Sequence, residues 1–294
     1  MGNVIVGLGE ILWDMLPSGK ALGGAPANFA FHAKELGESS VVISCVGNDE
    51  MGREIISSLE NMDMSTEFLY IDKTHPTGVV SVTTNKEMKP SYLIQEGVAW
   101  DYIPTSELLS ELAFKSTAVC FGTAAQRSQL SRMTIQKFVG LMGQDSIRVF
   151  DINLRQNFYS RDVIETSLSL ANVLKLNVNE LSVVKKLLRL NGDEEKILNE
   201  LSRKYSLRLI ALTKGMEGSI IYSEGRISKH EGYRINLEDT VGAGDAFVAA
   251  LVTGLLRGYE LDDLNNKANC VASYICSKHG GTPSLTNEIR QLFI

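Results

Sequence analysis

The chain has 294 residues, of which 44% are hydrophobic and 22% charged; it is long enough to bury one large core and has the balance of a globular protein. A net charge of -6 excludes nucleic acid as the main partner, because that task needs a basic surface. It does not exclude an anionic substrate, since a few backbone N–H groups and one or two basic side chains are enough to hold a phosphate.

The first residues, MGNVIVGLGEILWDMLP, have no basic region before the apolar run, and Glu10 and Asp14 interrupt that run early. They do not read as a signal peptide. Val6 stands where a myristoylated Gly2 would need Ser or Thr, and no stretch approaches the roughly 18 uninterrupted apolar residues of a membrane span. The expected location is the cytoplasm, away from membranes. Asn3 to Gly9 reads as a short buried strand. From Ala25 to Leu36 the apolar residues Phe29, Ala30, Ala33 and Leu36 share one helical face, with Pro26 near the start and Gly37 just past the end. A second strand, Val41 to Val46, leads through Gly47-Asn48-Asp49 into a helix ending near Leu59.

From Phe68 to about Ile103 the pattern becomes β-rich. TGVVSVTTN and KPSYLIQEG alternate apolar and polar residues and read as a hairpin joined by Lys86-Glu87-Met88-Lys89. Such a hairpin projecting from an α/β body suits a lid. Strand–helix alternation then resumes, with strands expected near Ala118–Phe121, Arg148–Phe150, Val173–Leu176 and Leu209–Thr213. Helices are expected from about Ala243 to Arg257 and from Leu261 to Lys278. This alternation predicts a mostly parallel sheet covered on both faces. With no repeat or linker, residues 1–294 form one domain carrying a β lid built from about 12–22 and 76–102.

Cys45, Cys120, Cys270 and Cys276 contain no CxxC pair and read as reduced thiols. The four histidines do not cluster at metal-ligand spacing, so no structural metal is assigned. The richest segment is Asp239-Thr240-Val241-Gly242-Ala243-Gly244-Asp245-Ala246-Phe247. Gly242 and Gly244 let the backbone approach a ligand, and the run AFVAALVTGLL starts a strong helix. Converging N–H groups at a helix N-terminus favour an anion such as a phosphoryl group in flight. Asp245 beside such a site is either a helix N-cap or a general base that takes a proton from an attacking hydroxyl. No GxxxxGK[ST] loop occurs, and no GxGxxG follows the first strand, so neither a P-loop nor a Rossmann dinucleotide site is supported. Gly23-Gly24-Ala25-Pro26-Ala27-Asn28 is a loop-to-helix junction that reads as a plain turn or as a ligand contact through Asn28. Asp14, expected in the loop after the first strand, is a solvated aspartate or an acceptor for a vicinal diol.

In this order the segments resemble the ribokinase-like (PfkB) family of carbohydrate kinases over essentially the whole chain. GGAPANFAFHAKELG is similar to the family's N-terminal signature and DTVGAGDAF to its C-terminal one. Lys175-Leu176-Asn177-Val178-Asn179-Glu180 resembles its Asn-x-x-Glu segment, and Leu212-Thr213-Lys214-Gly215-Met216-Glu217-Gly218-Ser219 its nucleotide-side turn. The resemblance implies a ribokinase-like three-layer α/β fold with a mostly parallel central sheet and a small β-sheet lid. It implies Asp245 as base and the N–H groups of Gly242, Ala243 and Gly244 as the anion hole. Asp14, Gly23, Gly24 and Asn28 match positions on the sugar side, and Arg155 in DINLR matches a contact to substrate or phosphate, or a surface ion-pair partner. Asn177, Thr213, Gly215 and Gly218 fall on the nucleotide side, with Glu180 organising Mg²⁺ through water. ATP and Mg²⁺ are the implied cofactors. Some family members also bind a monovalent cation such as K⁺, here near Asp239 and the backbone at Val241, and some form a homodimer through the lids.

Within the family, GEILWD, GGAPANFAFH, PTGVVSV, GVAWD and DINLRQNFY look most like bacterial fructokinases. The implied reaction is ATP plus D-fructose giving D-fructose 6-phosphate and ADP. Ribose, 2-keto-3-deoxygluconate and a nucleoside such as adenosine are the alternative acceptors. A reading of another class, a silent sugar- or nucleotide-binding regulator, is disfavoured by the presence of Asp245 with both glycines.

Overall fold

The computed structural model of the protein describes residues 4–16, 19–84 and 90–294. The chain opens with β1 (Val4–Leu8), β2 (Leu12–Leu16), β3 (Gly19–Gly23), α1 (Ala25–Glu35), β4 (Ser39–Gly47), α2 (Glu50–Asn61) and β5 (Leu69–Asp72). It continues with β6 (Val79–Thr84), β7 (Pro90–Ile94), α3 (Glu107–Lys115), β8 (Ala118–Phe121), α4 (Gln129–Leu141), β9 (Ile147–Asp151) and α5 (Arg161–Leu170). Next come β10 (Val173–Asn177), α6 (Val178–Leu188), α7 (Glu194–Tyr205), β11 (Leu209–Thr213), β12 (Ser219–Ser223) and β13 (Arg226–His230). The chain closes with α8 (Ala243–Leu256), α9 (Leu261–Cys276) and α10 (Asn287–Gln291).

Among the described residues the strands form a nine-stranded sheet, ordered β13-β12-β11-β10-β9-β8-β1-β4-β5, and a four-stranded sheet, ordered β3-β2-β6-β7. The strands from β11 to β5 pair in parallel, and β12 and β13 add an antiparallel hairpin at one edge. The central strands are nearly continuous apolar runs because helices cover both faces. On one face Leu109, Ile135, Ile164, Leu181 and Ile197 of α3 to α7 pack on the sheet. On the other, Phe29 of α1, Phe247 and Leu251 of α8 and Val271 of α9 do the same. Helix α8 is buried from Ala246 to Gly254, which its all-round apolar sequence requires. This is the three-layer ribokinase-like α/β fold expected.

In the four-stranded sheet β2 pairs antiparallel with β3 and parallel with β6, and β6 pairs antiparallel with β7. The predicted hairpin link Lys86-Glu87-Met88-Lys89, within the stretch 76–102, lies outside the described residues. The end of that stretch turns back into the body: Ala99–Tyr102 is a 3₁₀ turn, and Val98, Trp100 and Ile103 are fully or almost fully buried in the main core. No helix among the described residues is long and apolar enough to cross a membrane.

Candidate active site

Groups at the carboxyl ends of β1, β9 and β10 lie within electrostatic reach of Asp245, and Asp14 of the small sheet lies within reach of Arg155 and Asp239, at the end of the sheet where open α/β folds expose ligand-binding groups. The segment 239–245 enters this region as a turn. Gly242 is the N-cap of α8 with φ 76°, and a Cβ there would run into the carbonyl of Gly281. Only glycine satisfies both demands. Of the two readings of Asp245, the N-cap is therefore excluded: Asp245 is the third residue of α8. Its Oδ2 instead accepts a 2.8 Å hydrogen bond from Asn28 Nδ2 of α1. The first-turn N–H groups of Ala243 to Asp245 have no regular intrahelical acceptors, as at any helix start; that of Ala243 reaches Thr240 O at a long 3.4 Å.

Asn28 is almost fully buried, and its Oδ1 is a buried atom without a hydrogen-bond partner. Such an atom is costly unless something completes it. The adjoining loop is pinned by His32, whose Nε2 donates to Gly281 O at 2.9 Å. Burial pushes this imidazole down to about 4, so it is neutral at pH 7. Asp239 ties the same loops together: Oδ1 accepts from the N–H of Thr240 (2.7 Å) and Val241 (3.1 Å), and Oδ2 from Gly280 N–H (3.1 Å).

Asp14, within the stretch 12–22 assigned to the small sheet, stands in the middle of β2, opposite Ala21 of β3 and Val80 of β6, and not in a solvated loop. The run Leu12–Leu16 leaves the body as a strand because its β-branched and apolar neighbours supply pairing partners on both sides. Alternation then turns Trp13 into the core, where its Nε1 donates to Met51 O, while Asp14 takes the opposite face beside Gly23. Gly24 caps α1 and packs against the backbone of Glu10.

Electrostatics link these groups. Burial pushes the Asp245 carboxyl up to about 6, and Asp151 adds to the rise; the Asn28 bond, Lys175 and Arg155 pull it back. Burial also pushes Asp14 up to about 6, with Arg155 opposing and Asp239 assisting. Glu10, at the end of β1, rises to about 7 through burial, against its own backbone N–H and Arg155, and with Asp245 and Asp151. Its Oε2 is buried without a partner. Arg155 is exposed, and its guanidinium acts on Glu10, Asp14 and Asp245 together, so it belongs to the same site. Three carboxyls raised toward neutrality, Asp245 at a helix N-terminus, are of the kind that can accept or give a proton near neutral pH.

The remaining predicted residues form a second group. Asn177 ends β10 opposite Thr213 of β11. Asn177 and Glu180 make a reciprocal capping box for α6: Asn177 Oδ1 accepts from the N–H of Asn179 (2.9 Å) and Glu180 (3.0 Å), and Glu180 Oε2 accepts from Asn177 N–H at 2.7 Å. Glu180 Oε1 accepts from Leu154 N–H at 3.1 Å. Burial raises this carboxyl, with Lys175 opposing. Each oxygen keeps a lone pair, which fits a metal held through water rather than by direct ligation. Thr213 Oγ1 points to Leu176 O at 3.5 Å, and Gly215 and Gly218 shape the turn between β11 and β12, Gly218 packing on His230. These three make no described contact with Asp245. Among the described residues there is no group of three or more His, Cys, Asp or Glu that could hold a metal directly.

Glu10, Asp151 and Lys175 were not singled out from the sequence. Their signal was present: each is a charge inside an otherwise apolar, strand-forming run, and a strand buried on both faces carries a charge only when it is paired or used.

A parallel α/β core with a side sheet, and an Asp at a glycine-rich helix start, define a phosphotransferase of the ribokinase type. The chain matches the model of the pfkB family carbohydrate kinases over residues 18–288 and belongs to that family. An uncharacterized sugar kinase from Pyrococcus horikoshii is 30% identical over 95% of this chain and 91% of its own length. Its crystal structure with ATP superposes with a TM-score of 0.83, covering 99% of this chain and 100% of that one, at 27% identity. An Escherichia coli fructokinase is 29% identical over 84% of this chain and 83% of its own. The fold is shared with a Vibrio cholerae fructokinase solved with fructose, ADP and calcium ion, at a TM-score of 0.83 and 23% identity over 99% and 98% of the two chains.

Proposed function

We propose that this protein is an ATP-dependent kinase for a small sugar, with D-fructose as acceptor and D-fructose 6-phosphate and ADP as products. The observation that carries the reading is the Asp245 carboxylate, fixed by Asn28 at the first turn of α8. Ionised Asp245 takes the proton of the acceptor hydroxyl as that oxygen bonds to the γ-phosphorus. The bond from phosphorus to the β,γ-bridging oxygen breaks, and its electron pair leaves on ADP. The N–H groups of the Gly242-Ala243-Gly244 turn and the helix dipole stabilise charge on the transferring group. Arg155 adds a planar cation on the same side. Asp14 and Asn28 hold sugar hydroxyls, and the free Oδ1 of Asn28 accepts from one of them. The four-stranded sheet that carries Asp14 covers the sugar and keeps water from competing as acceptor. Asn177, Thr213, Gly215 and Gly218 line the nucleotide side. Mg²⁺, held through water near Asn177 and Glu180, would neutralise charge on the nucleotide phosphates.

Support for fructose comes from the fructokinase relative at 29% identity and from the GEILWD and DINLR segments. Sugar choice rests on a few hydrogen bonds, so the test is a panel. ADP release is measured with fructose, ribose, 2-keto-3-deoxygluconate and adenosine at equal concentration. The highest kcat/KM is expected for fructose. A higher value for another acceptor removes fructose, and no turnover with any acceptor despite ATP binding removes the kinase reading.

A further inference from the structure

Lys175 lies in the middle of β10 and is 6% exposed; Asp151, at the end of β9, is 3% exposed. The two are register partners on adjacent strands. Lys175 Nζ donates to Asp151 Oδ1 at 3.0 Å and to Oδ2 at 3.3 Å. They project from the face of the sheet that packs on α8, because Val149 and Val173, two residues earlier on each strand, belong to the cluster containing Phe247 and Leu251. A buried ion pair is a weak stabiliser compared with apolar packing of the same volume, so stability alone does not account for it.

The position of the ammonium does. A Cβ built on Gly244 would stand 3.0 Å from Lys175 Nζ. The glycine next to Asp245 thus leaves room for a cation against the first turn of α8, the turn proposed to receive the transferring phosphoryl group. Burial opposes the charge on Lys175, but Asp151, Glu180 and Asp245 together hold the ammonium well above its ordinary value. The groups facing Asp245 come from every element around it: Asn28 of α1, Asp151 of β9, Arg155 of the loop after β9, Lys175 of β10, and Glu10 beyond β1. The Cys120 thiol of β8 also faces it and is kept neutral by burial.

We propose that Lys175 is a positioning residue of the kinase: its buried ammonium, locked by Asp151, is the fixed positive charge that stands against the first turn of α8 and keeps Asp245 in its proton-accepting form. The inference rests on Asp245 being the base. It is tested on the full-length protein, without ligands, by following the Asp245 carboxyl through a pH titration with ¹³C NMR. The decisive comparison is Asp151→Asn against the double variant Asp151→Asn/Lys175→Gln, because both lack the Asp151 charge and differ only in the ammonium. The midpoint of Asp245 is expected to fall in Asp151→Asn and to stand about one pH unit higher in the double variant. The acid limb of kcat/KM for the sugar should move with it, while KM for ATP stays within a few fold. Equal midpoints in the two variants overturn the inference, since a purely structural lysine would change stability and not the titration. Should Asp151→Asn fail to fold, the wild type against Lys175→Gln, which keeps a donor toward Asp151, must show the same upward sign or the inference falls. If the wild type turns over no acceptor, the kinase reading fails separately, and the titration still decides the role of Lys175.

Discussion

Asp245→Asn should stabilise the protein while abolishing turnover, and the size of the gain should depend on pH. In the folded chain the Asp245 carboxyl is pushed up to about 6 from its ordinary 3.8, first by burial and then by Asp151. Folding therefore favours the protonated form. Below pH 4 the carboxyl is protonated in both states and carries no penalty. As pH rises from 4 to 6 the unfolded chain ionises freely while the folded chain resists, so stability is lost, and the loss is complete above 6. A shift of about two units at roughly 1.4 kcal/mol each sets a ceiling of about 3 kcal/mol. Asp245 is only partly buried, so solvent screening reduces the expected figure to about 1–2 kcal/mol. Asparagine does not titrate and keeps an oxygen for Asn28 Nδ2. Urea unfolding of both proteins at pH 4.5 and pH 8 measures the difference. The variant should gain its advantage at pH 8 and lose most of it at pH 4.5, with kcat down by a factor of about 10³ or more at pH 8. A variant no more stable than the wild type at pH 8 would refute the claim that the site holds this carboxylate at a cost in stability.

Two further substitutions probe the acceptor side and the turn. Asp14→Ala should raise the KM for sugar by a factor of about ten or more, as expected for loss of hydrogen bonds to a charged group. The KM for ATP should stay within about twofold, and equal changes in both steady-state constants would remove Asp14 from the sugar side. Gly242→Ala places a Cβ against the Gly281 carbonyl at φ 76°, a strain of about 1–2 kcal/mol or more. It should displace the first turn of α8 and lower kcat by a factor of about a hundred; kcat within threefold of wild type would show that the turn does not need its observed geometry.

The central strands were legible because each is an apolar run bounded by turn residues, and α1 and α8 because their proline, glycine and periodic patterns mark both ends. β2 and β3 were harder to read as strands. The apolar run of β1 continues through Glu10 into Leu12–Leu16 with no break strong enough to separate body from side sheet. The stretch 12–22 reads as part of the side sheet only as a whole; alternation along β2 is what sets Trp13 in the core and Asp14 on the opposite face. The β12–β13 hairpin at the sheet edge was missed for another reason. Ser219–Ser223 and Arg226–His230 are five residues each, and β13 is largely exposed, so neither has the continuous apolar signature of a central strand.

The site shows the same contrast at the level of single residues. Asp245 and its glycines are contiguous in sequence, so local geometry alone identifies them. Asn28 is 217 positions away from its partner, and Asp151 and Lys175 are separated by a helix, so no window of sequence contains either pair. A general argument from burial nevertheless reaches the second pair. Strands β9 and β10 are buried on both faces, where an unpaired charge costs several kcal/mol. β9 carries Arg148 near its half-buried start and Asp151 at its buried end, and β10 carries Lys175; the two buried charges, of opposite sign on neighbouring parallel strands, meet across the ladder at register. That meeting point lies under Gly244, the second glycine of the turn that the sequence marks most strongly. The glycine leaves room for the ammonium beneath it, and that contact ties the central sheet to the turn that carries Asp245.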